Sequence, residues 1–161
     1  MKPLPIAQAW SLYAREETAT LDEPRMIQQA QTFFGVELRF VARDPSLADA
    51  FDVDVLSGDA TDTTRVRVIS VHPDEASAVR AAGEEAVIAI GGAGFDALMP
   101  KAKRFWQVAT TPLDGRDTRA PLLVAAVMAS VMLAPIVPPG GGTVFGVKGA
   151  RERLAALGWK L

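Results

Sequence analysis

The sequence predicts one α/β domain, with a mixed, partly parallel sheet of five or six strands flanked by helices. Three observations point there. Short alternating or uniformly apolar runs recur along the chain, RVRVISV (65–71) and VIAI (87–90) among them. A helical pattern lies between those two, so they read as a strand-helix-strand unit with a right-handed parallel crossover. The longest stretch without a charged residue, Ala120 to Val147, supplies the apolar material of a core.

The 161 residues fit a single domain spanning 1–161, and 49% apolar with 22% charged residues is a globular composition. Seventeen basic residues against nineteen acidic ones give a net charge of −2, with no electrostatic footprint for nucleic acid. Cysteine is absent, which excludes disulfides and cysteine-based zinc sites, and the only histidine is His72. The start, MKPLPIAQAW, lacks the apolar core and cleavage site of a signal peptide, so the cytoplasm is the expected compartment.

Residues 1–35 read as a helical pair packed on the sheet. Ile6, Ala9, Trp10 and Tyr13 share one helical face. The second helix has Asp22 as N-cap, Pro24 in its first turn and an apolar stripe of Met26, Ile27, Ala30, Phe33 and Phe34, and Gly35 stops it. VELRFVA, DVDVL and RVRVISV then alternate as strands wet on one face, with Asp52 and Asp54 turned away from Val53 and Val55. A helix over 74–86 carries Asp74 and Glu75 at its positive end. VIAI reads as a central buried strand. FDALMPKA adds a short helix, RFWQVA (104–109) and TVFGV (143–147) are further strands, and RERLAALGW (151–159) closes the chain as an amphipathic helix. Residues 57–64 and 110–118 are polar loops.

Within the uncharged stretch, Arg119 to Ala134 reads as a helix with Thr118 as N-cap and Pro135 as stop. Its length of about 24 Å is short of the roughly 30 Å hydrocarbon core, so it is expected to be buried in a soluble domain rather than a membrane.

Candidate chemistry gathers at strand ends, where open parallel sheets bind ligands. Gly91, Gly92 and Gly94, with Asp96 opening the next helix, form a loop whose N–H groups suit a phosphate or carboxylate. Arg43, Arg116 and Lys148 are the candidate charge partners, and His72 the candidate acid/base. No dinucleotide fingerprint, Walker loop or metal-ligand spacing is present, and no motif names a cofactor. Two functions follow. One is a soluble binding, accessory or assembly protein without catalysis, with a homo-oligomer or protein partner favoured by the apolar density. The other is a small enzyme or ligand-binding domain for an anionic metabolite.

Overall fold

The computed structural model describes residues 3–15, 22–41, 50–56, 63–110 and 119–159. Its strands are β1 (Trp10–Ala14), β2 (Glu37–Phe40), β3 (Ala50–Leu56), β4 (Thr63–Val71), β5 (Arg104–Thr110) and β6 (Ile136–Val137). The helices are α1 (Glu23–Phe34), α2 (Ser77–Ala89), α3 (Phe95–Leu98), α4 (Arg119–Met132) and α5 (Val147–Ala156). The strands form one sheet in the order β2-β3-β4-β5-β1-β6. Every neighbouring pair is antiparallel. The expected mixed, partly parallel sheet is therefore wrong.

The error traces to residues 87–90. They are not a strand but the last turn of α2, whose buried residues Val79, Gly83, Ala86 and Val87 keep helical spacing to its end. Ile88, which a central strand would bury, is 78% exposed. With that strand gone, β4 passes through α2 and α3 to β5, which returns antiparallel beside β4, Val68 facing Val108. Residues 10–14, expected as helix, are a strand buried on both faces, preceded by a 3₁₀ turn at Ile6–Gln8. A strand with two covered faces loses the alternation that betrays it, and its apolar positions happened to fit a helical stripe. TVFGV is reduced to one bridge, Phe145 to Ile136.

On the first sheet face lies the main core. Leu12, Trp106, Val108, Val66, Val68, Val53, Val55 and Leu38 point to it from five strands. Helices α1, α4 and α5 cover it. Every residue of α4 from Ala120 to Ala129 is buried, because the sheet lies beneath it and α1 and α5 pack beside it. That position explains a helix apolar all round. At 14 residues, α4 is short for a bilayer, and no helix among the described residues is long and apolar enough to cross a membrane. Helix α1 follows its local signals: Asp22 accepts from the Arg25 N–H at 3.1 Å, and Gly35 ends it at φ 66°. The Trp159 indole and Arg151 donate to the carbonyls of Phe34 and Phe33, fastening α5 to the end of α1.

The second face is split. Over β1, β5 and the C-terminal end of β4, α2 packs on Tyr13, Phe105, Ile69 and Val71. The Tyr13 hydroxyl donates to the Val79 carbonyl of α2 at 2.6 Å, and burial raises its pKa. Buried Gln107 clasps the N-terminal segment, accepting from the Leu4 N–H at 2.6 Å and donating to the Leu4 carbonyl at 3.1 Å. Over β2–β4 the same face carries charge. Arg65 forks onto Asp54 and Arg67 onto Asp52, each through two bonds of 2.9 and 3.2 Å. The hydrogen bond from Arg65 holds the Asp54 carboxyl below its usual range.

Candidate functional site

The geometry separates His72 from the glycine turn. His72 follows β4 and caps the 3₁₀ turn Pro73–Glu75, its Nδ1 accepting from the Asp74 N–H at 3.2 Å. The Asp74 carboxylate lies 3.5 Å from the same nitrogen, and the ring is 58% exposed. His72 precedes the start of α2 and Gly91 follows its end. The 13 residues of α2 hold the two apart by about 20 Å. Arg43 and Arg116 lie outside the described residues, as do the loop positions 57–62 and 111–118.

The glycine turn works as the terminus of α2. Gly91, Gly92 and Gly94 have φ of +73°, +86° and +91°, a left-handed path that glycine follows without strain. The Gly91 N–H donates to the Ile88 carbonyl and the Gly92 N–H to the Val87 carbonyl, at 3.1 and 2.9 Å. Both donors thus close the helix. The Asp96 carboxyl folds over Gly92, where an added methyl would lie 3.2 Å from its Cγ. This sets negative charge at the position expected to receive an anion. Among the described residues no cluster of three or more His, Asp or Glu is placed to hold a metal.

Lys148 belongs to α5, whose Val147 shares a cavity with Phe95, the neighbour of Asp96. Lys148 is exposed in the first turn of α5. Its neighbour Val147 lines a cavity of about 200 Å³ together with Phe95 and Leu98 of α3, and Leu133, Ala134 and Pro135 after α4. A second groove, of about 290 Å³, lies on the other side of Val147, between Gln29, Phe33 and Phe34 of α1, Ser130 of α4 and Arg151 of α5. A broader concavity, about 590 Å³, runs along the outer face of α1 from Asp22 to Phe33. Its lining of Asp22, Arg25, Gln28, Gln29 and Thr32 is that of a solvated helix face.

The two smaller cavities share Val147 as a common wall; the first is lined by apolar residues and glycine, the second by Phe33 and Phe34 together with Gln29, Ser130 and Arg151. They also adjoin exposed large apolar side chains: Leu133 is 83% exposed, Phe33 50% and Leu98 44%. Leu133 stands out further because its φ is +55°. It occupies the position after α4 where glycine is the unstrained choice, its N–H closing the helix on the Ala129 carbonyl at 2.8 Å. Sequence reasoning missed it by extending the helix to Ala134. The available signal was a helix stopped by Pro135 with no glycine to turn the chain.

No family model matches the chain, and no curated protein or solved structure matches it either.

Proposed function

We propose that this protein is a binding and assembly module without catalysis, and that it holds another polypeptide on the apolar corner formed by α3, the end of α4 and the start of α5. Leu133 carries this reading. An L-residue in left-handed backbone is strained by roughly 1–2 kcal/mol, and a leucine normally recovers such a loss by burial. Here the side chain is 83% exposed, so the isolated chain recovers little. Backbone strain clusters at functional sites, and here it falls beside other exposed apolar side chains, the grouping that marks interaction surfaces. Leu98 beside it and the two cavities flanking Val147 provide pockets for apolar anchors, as helix-in-groove recognition requires.

The test is a photo-reactive amino acid at position 133 of the full chain, irradiated in the producing cell, with position 63 at the far end of the sheet as control. A discrete polypeptide adduct from position 133, absent from position 63 and lost on Leu98→Asp, is expected. Absence of a polypeptide adduct, or equal adducts from both positions, overturns the proposal.

A further inference from the structure

The surface that answers this corner chemically is on the same chain. Helix α2 presents Glu84, Glu85 and Ile88 outward, all three exposed. Ile88 follows Glu84 by four positions and Glu85 by three, so the three share a helix face. Ile88 is 78% exposed, and neither carboxylate joins the ion pairs among the described residues. The Arg80 guanidinium, one turn before Glu84, lies over the Phe105 ring, and the face beyond it carries two carboxylates and one apolar knob. Across α3, the corner cavities are lined by apolar side chains together with Gln29, Ser130 and Arg151, with no carboxylate among their described lining residues. Lys148 stands beside them, and α5 carries Lys148, Arg151 and Arg153 against the single acid Glu152.

Lys148 sits in the first turn of α5, the positive end of that helix dipole, where a cation is unfavourable in an isolated chain. That misfit is relieved if the carboxylates of α2 face it. Helix α3 follows α2 through the Gly91–Gly94 turn and itself lines the corner through Phe95 and Leu98. The patch and its complement therefore lie on either side of one short helix, an arrangement that a two-fold axis can satisfy twice in one interface.

We infer that the polypeptide bound at this corner is a second copy of the chain, in a closed two-fold dimer. Ile88 of each copy enters the apolar corner of the other, and Glu84 and Glu85 face Lys148. This rests on the corner being a polypeptide-binding surface and names its partner.

The experiment is sedimentation velocity on the purified full chain and two charge-reversed variants, one carrying Glu84→Lys and Glu85→Lys, the other Lys148→Glu. All substituted positions are exposed, and circular dichroism checks that the variants stay folded. The parent is expected at twice the 17.1 kDa chain mass. Each variant alone meets like charge across the axis and should dissociate at least tenfold more readily. An equimolar mixture restores both contacts at once and should return to the dimer. A parent that stays monomeric throughout the micromolar range overturns the inference. So does a dimer indifferent to the reversals, or a mixture no tighter than its components. A position-133 adduct with a different polypeptide, beside a monomeric parent, would overturn the second copy as partner while sparing the binding corner. Absence of any adduct would remove both.

Discussion

Gly83 sits in the interior of α2, where replacing glycine by alanine normally stabilises a helix by about 0.8–1 kcal/mol. The structure reverses that sign. A methyl at Gly83 would lie 2.8 Å from Tyr13 Cε1, 2.9 Å from Tyr13 Cζ and 2.9 Å from Met99 Sδ. Carbon pairs rest at about 3.5–4.0 Å, so something must move. The methionine can swing, but the tyrosine ring is 2% exposed, tied to α2 through its hydroxyl and set edge-on to Phe105 at 5.9 Å. Overpacking at a buried site costs about 1–3 kcal/mol. Subtracting the helix-propensity gain leaves Gly83→Ala less stable by about 1 kcal/mol, or roughly 2–4 °C in Tm for a chain of this size. Urea and thermal unfolding measure it. In a Tyr13→Phe background the ring loses its tether, so the loss should shrink, which a double-mutant cycle reads as coupling. A Gly83→Ala protein more stable than the parent would refute the close packing of α2 on Tyr13.

Other expectations follow from the same contacts. Gln107→Leu removes both bonds to Leu4 and should lower stability by about 1–2 kcal/mol. Amide exchange should accelerate at Leu4 and Ile6 but not in β4, and unchanged exchange at Leu4 would show that Gln107 does not hold the segment. Asp54→Asn removes the charge and one of the two acceptor oxygens of the Arg65 fork. Because the folded pKa of Asp54 lies below the ordinary 3.8, its contribution is present above that value and disappears as pH falls through the folded pKa. The stability gap between parent and variant should accordingly close in acid, and a gap that persists or widens there would contradict the pairing. Inorganic phosphate at millimolar concentration should leave Tm unchanged, since the Gly91 and Gly92 N–H groups are engaged and Asp96 faces the turn. A saturable rise in Tm would restore the turn as an anion site.

Legibility followed the local chemistry. Helix α1 could be read whole because Asp22, Pro24, the Met26–Phe34 stripe and Gly35 all signal the same element. Strands β3 and β4 were legible because one face is charged, leaving Val53, Val55, Val66 and Val68 alternating against Asp and Arg. Where both faces are buried, as in β1, that contrast vanishes. Residues 87–90 failed for a related reason: four apolar residues suit a buried strand or a last helical turn, and only the unbroken 79-83-86-87 spacing distinguishes them. That one misreading turned an antiparallel sheet into a partly parallel one, and with it set His72 and the glycine turn at one edge, whereas the length of α2 holds them apart. The position of β1 between β5 and β6 depends on long-range pairing that local patterns do not carry. Lys148 and Asp96 were read as candidate site residues, but the apolar corner between their elements depends on the end of α4, which no residue motif announces.

The central claim is that Leu133 serves a partner rather than the fold, and the unfolding free energy of Leu133→Gly, compared with its parent in the Glu84→Lys/Glu85→Lys background where the second copy has dissociated, tests it most directly. Glycine relieves the left-handed strain while little buried area is lost, so the variant should equal the parent or gain up to about 1 kcal/mol. A loss of about 2 kcal/mol or more, as for deletion of a core leucine, would contradict the account.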